Sequence, residues 1–174
     1  MKRNIKTGDI FICIGTSKIS NIIQRATGSV YSHTSQSVWI DDDLFMIEAQ
    51  KEGVILLPFA VWVRKYNYDY TIFRDPFCYD EKNWTKNAFR YLGKPYDKKG
   101  LAHGLFKNAF KIIVEKFTSR TVAEDMPLKY RNNGYFWCSE FTMKLIGVKN
   151  PEDYSPKMVY KYCLRNNFIK IYDK

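Results

Sequence analysis

The chain has 174 residues and a mass of 20.6 kDa, enough to bury a core without disulfide or metal staples. Hydrophobic residues at 45% and charged residues at 26% exclude wholesale disorder and fibrous classes. The net charge is +10: residues 1–75 hold 9 basic and 8 acidic residues, residues 76–174 hold 19 and 10. A basic half suits nucleic acid, an anionic membrane or an acidic substrate. No five-residue run of like charge occurs, however, and a solvated lysine-rich surface is the plainer reading. The N-terminus starts basic, but Asp9 interrupts it before an apolar stretch develops, and no apolar run approaches the roughly 20 residues of a spanning helix. Neither export signal nor membrane span is expected, so the expected location is cytoplasmic.

In chain order, Ile10 to Ile14 form an apolar run between Asp9 and Gly15, the pattern of a buried strand. Ile19, Ile22, Ile23 and Ala26 recur at helical spacing, with Ser17 as N-cap and Gly28 as stop. Residues 30–40 are β-rich and end at the turn cluster Asp41, Asp42 and Asp43. Residues 44–49 and 54–57 read as strands separated by Gly53 and closed by Pro58. Residues 68–74 alternate aromatic and polar side chains and give another strand. Trp84, Ala88, Tyr91 and Leu92 share one helix face ending at Gly93. Leu101, Leu105, Ala109, Ile112, Ile113 and Phe117 mark a longer helix, and residues 119–134 a polar loop. A short helix is expected from Cys138 to Ile146, stopped by Gly147. Ser155-Pro156 opens another, to about Asn166. Residues 168–172 are a last strand. The expected class is α+β, a single domain over 1–174 with a mostly antiparallel sheet packed with helices.

Four cysteines, Cys13, Cys78, Cys138 and Cys163, are spaced by 65, 60 and 25 residues. No CxxC occurs and there are only two histidines, so zinc-site spacing is missing. The thiols are expected to be reduced. Three places carry candidate chemistry. Taken alone, each has a bland reading: His33 as a hydrogen-bonded core residue, Glu48 as a water-facing strand carboxylate, Cys138 as a small hydrophobe. Together they make a nucleophile. Cys138 begins a helix, whose unpaired N–H groups and dipole favour thiolate. A neighbouring imidazole takes the thiol proton and returns it to a leaving group. That imidazole needs an acceptor on its other nitrogen, a role Glu48 suits. The N–H of Cys138 is placed to stabilise an oxyanion. Glu140 either favours the helix start through its charge or, lying near the nucleophile, competes with Glu48 to orient His33. For Glu48 to reach His33, Ile40 must pair with Asp43, putting Glu48 opposite Ser35; pairing Ile40 with Leu44 would turn it away.

Five short motifs then fall in order: Gly8-Asp9; Tyr31-Ser32-His33; Ile47-Glu48-Ala49 with Gly53-Val54; Tyr91-Leu92-Gly93-Lys94-Pro95-Tyr96-Asp97; and Trp137-Cys138-Ser139-Glu140. This order resembles the circularly permuted papain-like fold of the NlpC/P60 superfamily, in particular the YiiX-like amidases and cysteine peptidases, in which the histidine strand precedes the cysteine helix. The resemblance spans about residues 7–165. It implies Cys138 as nucleophile, His33 as base and Glu48 as the orienting residue, with Gly8-Asp9 and Tyr96-Asp97 structural. Relatives commonly follow the histidine with small apolar residues, whereas Thr34-Ser35-Gln36-Ser37 make this strand polar, a difference that bears on the substrate cleft.

The implied activity is cleavage of an amide (peptide, cell-wall peptide or N-acyl amino acid) through a thioester, without metal or organic cofactor. On the same fold, the lecithin:retinol acyltransferase-like proteins suggest acyl transfer or lipid hydrolysis, with a lipid or acyl chain as partner. A different class is a non-enzymatic basic protein that binds anionic lipid or nucleic acid. No recognised nucleic-acid motif accompanies Lys94, Lys98 and Lys99, which disfavours the latter.

Overall fold

The computed structural model describes residues 4–77, 80–102 and 134–173. Six strands form one sheet: β1 (Ile10–Ile14), β2 (His33–Ile40), β3 (Asp43–Gln50), β4 (Gly53–Pro58), β5 (Asp69–Arg74) and β6 (Ile169–Asp173), in the order β4-β3-β2-β1-β5-β6. Every neighbouring pair is antiparallel. The helices are α1 (Lys18–Thr27), α2 (Phe59–Tyr66), α3 (Glu81–Phe89), α4 (Cys138–Ile146) and α5 (Pro156–Arg165). Residues 98–102 are also helical, and the rest of the longer helix and loop expected after Leu101 lies outside the described residues, apart from Gly134. The class is α+β, as the residue pattern implies. Among the described residues no helix is long and apolar enough to cross a membrane.

β1 is continuously apolar because it is central and covered on both faces. Phe11 and Cys13 meet Phe59 and Trp62 of α2, with Met46, Tyr70 and Ile72 around them. Ile10 and Ile12 face the other way, against Met143 of α4 and Val159 and Cys163 of α5. The caps read from the sequence are in place. Ser17 Oγ accepts the Ser20 N–H at 3.1 Å, Gly28 is left-handed at φ 56°, and Ser155 Oγ accepts the Met158 N–H at 3.4 Å.

Two differences matter. β2 starts at His33 and not at residue 30, because the chain leaving Gly28 is still turning: Ser29 N–H bonds back to Gln24 O and only Ser32 N–H reaches Cys13 O. α2 is an additional helix where the sequence suggested nothing after Pro58. Phe59 and Trp62 fill one face and Asn67 ends it with φ 45°. The β2–β3 register pairs Ile40 with Asp43 and Gln36 with Ile47, which puts Glu48 opposite Ser35. This is the register that sends His33 and Glu48 to the same face.

Candidate active site

His33 is the first residue of β2, and Glu48 lies near the end of β3 on the same face. Their side chains meet directly: His33 Nε2 is 2.7 Å from Glu48 Oε2, with both groups buried. Glu48 is fully enclosed, so its charge depends on the donors around it. Trp62 Nε1–H donates to Oε2 at 3.0 Å, Gln50 Nε2–H donates to Oε1 at 3.2 Å, and the Tyr66 hydroxyl donates to the same carboxylate.

α4 packs on the opposite face of the sheet, and its first residue is Cys138. The helix is pinned to β2 by Thr142 Oγ1–H donating to Thr34 Oγ1 at 2.9 Å. This brings the Cys138 thiol into a hydrogen bond with the His33 ring. With Nε2 committed to Glu48, Nδ1 is the nitrogen left for sulfur. The N–H groups of Thr34 and of Ser139, in the first turn of α4, also donate to the sulfur. Burial alone would push the thiol pKa up, but the His33 charge and these donors lower it below its ordinary value. For His33, burial favours the neutral ring; the Glu48 carboxylate, with Cys138, overcomes this and raises its pKa to about 10. Both shifts favour the thiolate–imidazolium form of the pair.

Glu140 does not compete with Glu48. Its Oε2 accepts the Trp137 N–H at 3.4 Å, closing the start of α4. Burial raises its pKa to about 8, so at neutral pH it is mostly protonated and caps as a neutral acceptor. The expectation that it acts through negative charge is thereby corrected.

Tyr96 is nearer the chemistry than its motif suggested. Gly53, at φ 116°, sits so close to the Lys94 carbonyl that a Cβ would lie 2.7 Å from it. That contact, with Val54 N–H to Lys94 O at 2.8 Å, fixes the 93–97 segment against β4. Phe136 N–H donates to Pro95 O and Asp97 N–H to Phe136 O, which lays Tyr96 beside the start of α4. The Tyr96 hydroxyl oxygen then accepts the N–H of Cys138. The N–H expected to hold an oxyanion is thus occupied by a phenol. Burial keeps that phenol protonated.

A cavity of about 570 Å³ opens onto Cys138 and His33. Ile19, Ile22 and Ile23 of α1 form one wall, and Leu101 and Ala102 contribute to the lining. The polar residues 34–37 do not line it. Thr34 binds α4, Ser37 Oγ–H donates to Lys6 O at 2.7 Å, and the Gln36 amide, fully buried, has no partner among the described residues. Asp9 is structural, held by Arg74 Nε and Nη2 at 2.8 Å each.

Trp62, Tyr66, Gln50 and Tyr96 were not singled out as site residues by the sequence. Phe59, Trp62 and Tyr66 do recur at helical spacing between Pro58 and Asn67, a signal sufficient for α2.

No protein-family model matches the sequence, and no curated protein matches it. Among solved structures, YiiX from Escherichia coli O157:H7, described as a metalloprotein and DUF1105, aligns with a TM-score of 0.59 over 98% of each chain, at 23% identity. The fold is that of YiiX. Because the alignment covers nearly all of both chains, the likeness to YiiX extends from the His33 strand to the Cys138 helix. At this identity YiiX bears on architecture, and the chemistry of Cys138 is argued from its own neighbours.

Proposed function

We propose that this chain is a cysteine-dependent hydrolase of the permuted papain-like type, cleaving an amide bond through a thioester. The observation that carries the reading is the unbroken hydrogen-bond chain from Cys138 through His33 to Glu48. The Cys138 thiolate attacks the carbonyl carbon, forming a C–S bond as the C=O π pair moves to oxygen. That oxyanion takes the Cys138 N–H in place of the Tyr96 oxygen, and the Tyr96 O–H turns to donate to it. His33 gives its proton to the amine as the C–N bond breaks. Neutral His33 then takes a proton from water, hydroxide adds to the thioester, and the C–S bond breaks to release the acid. Glu48 stays ionised throughout, holding the imidazolium in place.

YiiX is described as a metalloprotein. Among the described residues of this chain, no group of three His, Cys, Asp or Glu side chains is arranged to hold a metal ion. At 2.7 Å, His33 and Glu48 are in direct contact, closer than the about 3.3 Å between two ligands that each lie about 2 Å from a tetrahedral ion. The described residues do not fit a metal site, and the chemistry proposed here uses none.

The apolar wall of the cavity favours an amide whose acyl part is aliphatic, such as an N-acyl amino acid. The same thioester would serve acyl transfer if an amine or alcohol replaced water. A reduced thiol suits the cytoplasmic location inferred from the sequence. The test is product release from N-decanoylglycine, read as free glycine, together with intact-mass detection of a decanoyl adduct on Cys138. Turnover that survives Cys138→Ala would contradict the reading.

A further inference from the structure

Three lysines, Lys51, Lys65 and Lys98, line the cavity that opens onto Cys138, and among the described residues no Asp or Glu lines it. Their positions follow from the site itself. Lys51 follows Gln50, Lys65 precedes Tyr66 and Lys98 is two residues past Tyr96, so each flanks a side chain of the cavity wall. All three are exposed as well as lining the cavity. The thiolate, imidazolium and Glu48 carboxylate leave one net negative charge behind the cavity floor. Left alone it would repel an anion, and the lysines reverse the sign of the field at the entrance. Lys51 is partly answered by Glu52 at 3.5 Å, so Lys65 and Lys98 carry most of this effect. The α1 wall is the apolar counterpart: Ile19 and Ile22 are 60% and 55% exposed on a helix whose Ile23 is buried.

Resting on the nucleophile assigned above, we propose that the cavity takes an anionic amphiphile, with an aliphatic chain along α1 and a carboxylate or phosphate at Lys65, Lys98 and Lys51, the scissile carbonyl lying between them at Cys138. A peptide with a cationic end is disfavoured by the same field, and a neutral amide gains only from the apolar wall.

The experiment separates this claim from the catalytic one by measuring binding where turnover is blocked. Cys138→Ala protein is titrated calorimetrically with N-decanoylglycine and with N-decanoylglycinamide, which differ in charge and share the chain. The acid is expected to bind at least about tenfold more tightly at low salt, with the gap closing as salt shortens the Debye length from about 30 Å to about 3 Å. Lys51→Gln, Lys65→Gln and Lys98→Gln combined should bring the acid down to the amide's affinity. Lys65→Glu with Lys98→Glu should reverse the preference; all these positions are exposed, so the fold tolerates the changes. Equal affinity for acid and amide, or a preference that survives the triple change, overturns the proposal. Glycine release by wild type without any binding gap overturns the anion claim and leaves the hydrolase standing. A binding gap without glycine release does the reverse. Co-sedimentation with phosphatidylglycerol vesicles, lost in the triple variant, assigns the anion to a phospholipid headgroup. Acid binding without co-sedimentation assigns it to a dissolved carboxylate.

Discussion

Cys13, Cys138 and Cys163 are all buried, yet their thiols diverge. Burial pushes Cys163 up to about 12 and raises Cys13 well above an ordinary thiol, with the Glu48 charge adding to the latter. Cys138 moves the other way because His33 and two backbone N–H groups face its sulfur. In a Cys78→Ser background, iodoacetamide should therefore label Cys138 first, with mass mapping as the readout. His33→Ala should slow that labelling near neutral pH; equal rates at Cys13, Cys138 and Cys163 would argue for an inert core cysteine. Glu48→Gln keeps an acceptor oxygen and loses the charge that steadies the imidazolium. A kcat loss of up to about 10⁴-fold is expected, the scale seen when the carboxylate that orients a catalytic histidine becomes an amide. Trp62→Phe removes the indole donor from Glu48 and should cost about 1.5–3 kcal/mol in a urea titration, since a hydrogen bond to a charged, fully buried acceptor is lost. The meeting of Cys138, His33 and Glu48 was legible because each sits in a short motif whose neighbours suggest the chemistry. Tyr96 and Trp62 were not. Their relevance depends on contacts across 42 and 14 residues, which no local pattern encodes.

At the scale of elements, α4 carries both the proposed nucleophile and a buried acid. Glu140 is raised from 4.5 to about 8 by desolvation, with the Asp97 and Glu152 charges adding to the rise. A carboxyl whose folded pKa is raised contributes stability that is full below its unfolded pKa and is lost as pH rises through the folded one. Wild type should therefore lose stability between about pH 4.5 and about pH 8, while Glu140→Gln, which keeps the acceptor for the Trp137 N–H, should show a flatter curve of Tm against pH over that window. A parallel pair of curves would remove Glu140 as the cause. On β2, the unpartnered Gln36 amide lies between Ile10 and Ile47 on the face covered by α4. Gln36→Met should stabilise the protein by about 1–3 kcal/mol, because the desolvated amide is removed and the volume kept. The strand register could be deduced because only one alignment sends Glu48 to the face of His33. α2 escaped because the site residues drew the reading to strands, although Phe59, Trp62 and Tyr66 keep helical spacing. In the polar run after His33, the Thr34 hydroxyl serves α4 and the Ser37 hydroxyl the Lys6 carbonyl, away from the cavity lining.

For the whole molecule, the sheet holds His33 and Glu48 at one end, opposite the Asp9–Arg74 pair, and leaves them dependent on each other. The His33 pKa is raised from 6.5 to about 10, so the stability its pairing provides is full below about pH 6.5 and fades as pH passes about 10. Activity should share that alkaline limit, since a neutral ring cannot protonate the leaving amine. The acid limit belongs to Cys138, whose lowered pKa keeps it ionised where an ordinary thiol is not. The central claim is that the resting site is a thiolate–imidazolium pair, and the ultraviolet absorbance of thiolate, titrated in wild type, Cys138→Ala and His33→Ala, tests it most directly. The account predicts a thiolate signal in wild type that persists below the ~8.5 of a free cysteine, absent from Cys138→Ala and shifted to alkaline pH in His33→Ala. A wild-type signal that emerges only at about pH 8.5 or above, unchanged by His33→Ala, would contradict it.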